Sequence, residues 1–448
     1  MVVRFALLPL LALPLGFFSV ILGLGEPKPL QPSGLQGAAL QIDWQSPWIA
    51  GLAPDPVIDA IVADYLAGLE RQGWSIPDQG IWIQAGSSAV AQHQGTLLLP
   101  AASLTKLATT LAALKTWPID HRFETLVGIN GTVENGVLYG DLVVQGGGDP
   151  LFVWEEGIVL ANQLQALGIQ QVTGDLLVTG SFTMNFEEDP NDSLAALRQA
   201  MAADAWNGEA QTAYQTLPPD TPRPSLLIDG ESRRVEVGAV EQTAWIIRHE
   251  SLPLIAILKA MNIHSNNTMA QMVADLMGGP GSVMDIAIAT ADLPPGEIHL
   301  VNGSGLGLEN QLSPRAAVAL TVALQKELSQ HNFSVADVLP VSGEDIGTLI
   351  DRQIPLTAAV KTGSLAEVSA LAGMLPTADK GPVWFAILNR GWAIGDLRVQ
   401  QDQLLHAIQA HWGVADAPPA LDTKVHMQSE PFRYGDPDRN VKFQPGSE

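Results

Sequence analysis

Not one of the chain's 448 residues is cysteine. That excludes disulfides, thiolate nucleophiles, zinc–thiolate sites and iron–sulfur clusters together. It also excludes lipid attachment at an N-terminal cysteine, and it suits an oxidising compartment. Basic residues are scarce as well: 23 Lys and Arg stand against 47 Asp and Glu, for a formal net charge of −24. A chain this acidic repels phosphate backbones, and no Lys/Arg cluster offsets that, so nucleic acid is not an expected partner. The nine histidines show no metal-ligand pairing of the H-E-x-x-H kind. The stretch "QGGGDP" is rich in glycine, but no G-x-x-x-x-G-K-[ST] exists, so it reads as a turn and not as a phosphate loop. No cofactor and no metal is expected.

What is present is a globular composition, 46% hydrophobic and 16% charged, on a chain long enough for two or three domains. The N-terminus, "MVVRFALLPLLALPLGFFSVILGLG", carries one Arg and then about twenty apolar residues, which reads as a secretory signal or a single N-terminal anchor. Pro9 and Pro14 weaken a permanent span, and Gly23 and Gly25 suit a cleavage site. The chain is therefore expected to be exported, to a periplasm or cell envelope, with residues 1–25 cleaved or anchoring.

A Pro/Gly-rich link (26–37) precedes a helix signalled by "DPVIDAIVADYLAGLERQG", with Asp55 as cap and Pro56 at the first helical position. Short strands then deliver the chain to Ser103. From about Thr116 to Val240 the texture turns to strand–turn–strand, with Asn130-Gly131 and Asn135-Gly136 as turn signals. We read 116–240 as an inserted domain within a discontinuous catalytic domain, 38–115 and 241–414. The tail, 415–448, is polar, rich in Pro and Asp, and is expected to be disordered.

Three short motifs carry the chemistry. In "PAASLTKLATT", Leu104, Leu107, Ala108 and Leu111 make an apolar stripe, while Ser103 and Lys106 sit about 60° apart at its edge. Ser103-Leu104-Thr105-Lys106 is S-x-x-K: a hydroxyl needs a base to become a nucleophile, and a neutral lysine one turn on can supply it. Alone the tetrapeptide is frequent by chance and far more often describes a cap serine beside a snorkelling lysine. In "MNIHSNNTMAQ", Ser265, Asn266 and Asn267 interrupt an apolar stretch; a helix cap explains them equally well. In "TAAVKTGSLAEV", period-2 alternation puts Thr362 and Ser364 on one strand face, where both hydroxyls can meet a carboxylate. Gly363 permits close approach. Lys361 points the other way, so a role for it needs strand twist or a reach around the edge; otherwise it is a solvated edge lysine.

In the order S-x-x-K, S-x-N, K-T-G the three match the signature of penicillin-binding proteins and class A β-lactamases. The region from Ser103 to about Asn389 further resembles the D-alanyl-D-alanine carboxypeptidase/endopeptidase family, the low-molecular-mass class C penicillin-binding proteins. "YGDLVVQGGGDPLF" is similar to its glycine–aspartate–proline turn after the first motif, "HESLPLIAILKAMNIHSNN" to its approach to the second, and "VNGSGLGLENQLSP" to its stretch between the second and third. The family usually carries aspartate where Asn266 and Asn302 stand. The resemblance implies an α+β fold: an antiparallel sheet flanked by helices, with a small inserted domain. It implies a serine carboxypeptidase, with or without endopeptidase action, on peptidoglycan stem peptides ending in D-Ala-D-Ala, acylated covalently by β-lactams. Ser103 would be nucleophile, Lys106 general base and Ser265 proton relay. Asn267 would bind the peptide amide, and Lys361, Thr362, Gly363 and Ser364 would hold the terminal carboxylate. The rivals are a β-lactamase and a non-catalytic peptidoglycan-binding protein. No carboxylate between Ser265 and Lys361 lies in the E-x-x-L-N pattern of class A β-lactamases, and the intact triple argues against a decayed site.

Overall fold

The computed structural model describes residues 51–294, 296–415 and 423–442. The expected signal or anchor, 1–25, lies outside the described residues. Helix α1 (Pro56–Arg71) begins as its sequence requires: Asp55 accepts from the N–H groups of Val57 and Ile58, and Pro56 fills the first turn. Hairpin β1 (Gly80–Ala85) and β2 (Ser88–His93) follows, then α2 (Thr105–Thr116). The chain next builds the long hairpin β3 (Glu124–Glu134) and β4 (Val137–Gly147), helix α3 (Trp154–Ala166), strand β5 (Leu176–Ser181), helices α4 (Pro190–Ala200) and α5 (Gly208–Tyr214), and strand β6 (Ala244–Glu250). Four helices come next: α6 (Leu254–Ile263), α7 (Asn267–Leu276), α8 (Pro280–Ala291) and α9 (Pro314–Ser329). The meander β7 (Ala359–Leu365), β8 (Val368–Thr377), β9 (Gly381–Arg390), helix α10 (Ile394–Trp412) and the short strand β10 (Asn440–Lys442) complete the chain.

Two sheets organise these elements. The first has six strands, with β2, β1, β9, β8 and β7 in that order and the pair Gly51–Leu52 beyond β2; β7 is an edge strand. All its pairings are antiparallel except that of Gly51–Leu52 with β2. One face packs on α1 and α10, through Ile58, Val62 and Leu69 against Leu404, Leu405 and Ile408, with Ile81, Ile83, Val360, Phe385 and Ile387 rising from the strands. Alternation turns the neighbouring residues to the opposite face. There a Cβ on Gly80 would lie 2.7 Å from Pro314, so glycine lets α9 settle against β1.

The second sheet is mixed. It orders Ser232–Arg234, β5, β4, β3, β6 and β10, with the first two pairings parallel and the others antiparallel. It has its own core, where Val127, Leu142, Val144 and Val178 meet Ile158, Leu164 and Leu197 from α3 and α4. Among the described residues, no strand between 124 and 250 enters the first sheet. The second sheet nevertheless runs past the expected boundary at 240, because β6 completes it to Glu250. The two crossings are tied together, with Ser251, Leu254 and Ile255 N–H donating to the carbonyls of Phe123, His121 and Ile119.

The tail departs from expectation. Its residues 423–442 are ordered against the protein, and β10 pairs with β6. The physical reason is that its polar residues find buried partners: Arg439 meets Glu156, and Asn440 meets His249. Composition alone reads such a segment as solvated.

Candidate active site

Ser103 lies not in α2 itself but in a 3-10 turn, Ala102–Leu104, that leads into it. Ala102 is held at φ 47°, a strained conformation for a residue with a Cβ, and it sets the entry angle. Lys106, in the first turn of α2, is completely buried. Its Nζ lies 3.1 Å from Ser103 Oγ, 2.8 Å from Asn267 Oδ1 and 2.7 Å from the Ser304 carbonyl. Two of these partners can only accept. The third is a hydroxyl, which can donate. A neutral amine has two N–H bonds and one lone pair, so its lone pair must face Ser103. Burial brings the Lys106 amine down to about 7, where the neutral form is available.

The second motif is a helix-to-helix joint. Asn266 N–H bonds back to the Met261 carbonyl, closing a Schellman-type turn after α6. That turn places Ser265 at φ 50°, a position usually given to glycine. Asn266 caps α7, accepting from Met269 N–H at 2.9 Å. The cap explanation therefore holds for Asn266 without excluding chemistry at its neighbours. An amide oxygen does here what aspartate would do. Asn262 on α6 donates to Thr110 on α2 at 3.0 Å, which fixes the joint to the first motif.

Lys361 needs no reach around the sheet, which corrects the sequence-based view of it. Val360 belongs to the α1/α10 face of β7, so alternation turns Lys361 to the other face, towards the second motif. Its Nζ donates to Ser265 Oγ at 2.8 Å and to the Thr362 carbonyl at 2.8 Å. It is fully buried, not a solvated edge residue. Burial, and then repulsion from Lys106, hold it well below the ordinary lysine range. Among the described residues, the polar partners of these two lysines include no carboxylate.

The arrangement can move a proton off Ser103, relay one through Ser265, and meet an incoming anion with a buried lysine that has no carboxylate among its polar partners. The sequence pattern of the D-Ala-D-Ala carboxypeptidase 3 (S13) family matches residues 59–204 and 230–410. The chain belongs to this family. It is thus a serine-type D-Ala-D-Ala carboxypeptidase of the penicillin-binding class, whose members act on the cell wall. The D-alanyl-D-alanine carboxypeptidase DacB of Haemophilus influenzae is 22% identical, over 69% of this chain and 84% of the relative. Among solved structures, penicillin-binding protein 4 of the same organism superposes with a TM-score of 0.59 at 18% identity, covering 78% of this chain and 99% of that one. A predatory peptidoglycan endopeptidase of Bdellovibrio bacteriovorus gives 0.67 at 19% identity, with 81% and 98% covered. These likenesses share the α+β fold: a sheet flanked by helices, with an inserted domain. The family match ends before the ordered segment 423–442.

Residues outside the three motifs complete the arrangement. The loop 302–310 presents the Ser304 carbonyl to Lys106. Asn302 Oδ1 organises it, accepting from Ser304 N–H, Ser304 Oγ and Gly305 N–H at 2.7–3.1 Å, while its Nδ2 donates to the Leu306 carbonyl. A carboxylate could accept the first three but not donate the last. Thr362 Oγ1 donates to Thr348 Oγ1 at 2.9 Å, and Arg398 Nη2 on α10 donates to Ser364 Oγ at 2.8 Å. No spacing rule announces partners so distant in sequence. Beyond Asn266 opens a cavity of about 670 Å³, walled by His264, Met269, Trp154, Glu155 and Tyr434.

Gly363 sits against the turn that carries Ser103. A Cβ there would lie 2.9 Å from the Ala101 carbonyl and 3.1 Å from Ser103 N. Backbone cannot yield as a flexible side chain does. Gly363→Val is therefore expected to cut acylation by at least tenfold, read as the rate of labelled-penicillin incorporation. Circular dichroism should remain that of the parent. Incorporation at the parent rate would show that the turn tolerates the push.

Proposed function

We propose that Ser103 is the acylated nucleophile and that Lys106 is the base that activates it. The observation that carries the reading is the partner set of Lys106, two obligate acceptors and one hydroxyl. The substrate is a stem peptide ending in D-Ala-D-Ala. Lys361, Thr362 and Ser364 hold its terminal carboxylate at the open edge of β7, and Asn267 binds the penultimate amide. The carboxylate pairs with Lys361, which keeps that lysine charged and its neighbour Lys106 neutral.

Ser103 Oγ attacks the penultimate carbonyl carbon while Lys106 takes the hydroxyl proton. The resulting oxyanion is held by the backbone N–H groups of Ser103 and Ser364. Collapse breaks the C–N bond. The departing D-Ala amine takes a proton by way of Ser265. Water then attacks the ester, its proton again going to Lys106, and Ser103 regains its hydroxyl as the acid product leaves. The cavity beyond Asn266 receives the part of the stem that precedes the dipeptide. β-Lactams, which mimic the dipeptide, stop at the acyl-enzyme; a penicillin G-acylated form of the Bdellovibrio endopeptidase supports this by analogy. Export to the periplasm or envelope is part of the reading, since the substrate lies there.

Labelled penicillin should add a single mass to the peptide containing Ser103, and Ser103→Ala should carry none. Full labelling of Ser103→Ala would overturn the assignment.

A further inference from the structure

The ordered tail runs from one sheet system to the other. At its start, the backbone N–H groups of Lys424 and Val425 both donate to Asp337 Oδ1, at 2.6 and 3.1 Å. Asp337 closes the turn Val335–Asp337, and the neighbouring Ala336 carbonyl accepts from Lys259 on α6 at 2.7 Å. This end is therefore anchored beside the helix that leads to the second motif. At the other end, Gly435 N–H and Arg439 Nη2 both reach Glu156 Oε1, at 3.0 and 2.5 Å. Both charged side chains are buried. Arg439 Nη1 also donates to the Glu250 carbonyl at 3.2 Å, and Asn440 Oδ1 lies 2.9 Å from His249 Nδ1. This end is anchored on α3 and β6, within the second sheet system.

Between the two anchors stands Tyr434, one wall of the cavity beside Asn266. The cavity's other walls divide likewise: His264 and Met269 come from the first sheet system, Trp154 and Glu155 from the second. Its width is set by how the two systems sit, and the tail is a covalent link that touches both. A buried Arg–Glu pair is a stringent tie, because removing one partner leaves an uncompensated charge.

We propose that residues 423–442 form a strap that fixes the inserted sheet against the second motif, making Arg439 and Tyr434 positioning residues for substrates longer than the D-Ala-D-Ala tip. The strap lies outside the stretch that matches the family. The substrate arm of the inference rests on the peptidase reading above. A dipeptide tip, or a β-lactam that mimics it, needs only Ser103, Asn267 and the β7 edge. A longer stem must also enter the cavity.

The test uses the full chain with Arg439→Gln, which cuts the tie, and Tyr434→Ala, which removes only the wall. In Arg439→Gln, amide hydrogen exchange across 244–250 is expected to quicken at least tenfold. Penicillin labelling should stay within twofold of the parent. KM for a stem pentapeptide should rise about tenfold with kcat held, while KM for an acylated D-Ala-D-Ala dipeptide changes less than twofold. Tyr434→Ala should raise pentapeptide KM severalfold without altering exchange in 244–250. Unchanged exchange in Arg439→Gln overturns the strap, as do equal KM rises on short and long substrates. If Arg439→Gln fails to fold, unchanged pentapeptide KM in Tyr434→Ala overturns it. A parent that labels with penicillin yet cleaves neither peptide would fail the peptidase reading, while the exchange comparison still judges the strap.

Discussion

Lys106→Arg is expected to lose acylation by about 10²–10⁴-fold, the usual contribution of a positioned general base. The guanidinium stays protonated at any working pH, so it offers donors to Asn267 Oδ1 and the Ser304 carbonyl but no lone pair to Ser103. In the parent, acylation should follow the neutral fraction of Lys106. Burial lowers its pKa to about 7. A lowered lysine pKa means that the proton is lost as pH rises through 7, so the penicillin labelling rate climbs about tenfold per unit below that point and levels above it. The variant should show no such limb. Thermal unfolding of Lys106→Arg checks that the fold survives a larger buried cation. If it does not, the parent's pH profile alone decides, and a flat profile between pH 5 and 8 would remove Lys106 as the base.

Much of this site was legible because its motifs are local. Ser103 and Lys106 are one helical turn apart, so their meeting follows from 3.6 residues per turn. Asn266 as a cap follows from its residue type at the head of an apolar helix. What Lys361 faces did not follow. Alternation assigns it to one side of β7, but only the packing of the Ser103 turn against that same side makes the side a site. Thr348 and Arg398 were unreadable for a related reason: each touches a motif hydroxyl from a separate loop or helix. The fold was legible in its class and in its insertion. The end of the insert was not, because β6 is a strand like any other until its partner β3 is known. The strap was misread outright. Its charged and polar residues are buried by pairing with Glu156 and His249, and a polar segment announces nothing about a partner nearly three hundred positions earlier.

A penicillin adduct on this protein is expected to persist for minutes or longer, which separates a target from a β-lactamase. Fast hydrolysis of a penicilloyl ester needs a base for water while the leaving group stays tethered in the site. In class A β-lactamases a glutamate between the second and third motifs serves deacylation. Here two stretches approach their pattern, Glu297-Ile298-His299-Leu300 and Glu309-Asn310-Gln311-Leu312, but Val301 and Ser313 follow in place of asparagine, and Glu309 is exposed. The Glu297 carboxylate is committed elsewhere, to Ser313 Oγ at 2.6 Å and to the Arg315 guanidinium. Other carboxylates of the interval are likewise engaged: Asp345 with Lys259, Glu327 with Lys115, Asp337 with the strap backbone. Lys106 can serve natural turnover, because D-Ala departs and water enters the space it leaves. With penicillin the thiazolidine remains in that space. A loss rate near 10⁻² s⁻¹, against about 10³ s⁻¹ for a fast hydrolase, is a difference of about 7 kcal/mol in barrier. Intact-mass measurement after removal of excess labelled penicillin checks it. Loss of the adduct within seconds, with steady turnover of antibiotic, would mean that water finds a base despite these commitments, and the chain would then be a β-lactamase built on a carboxypeptidase frame.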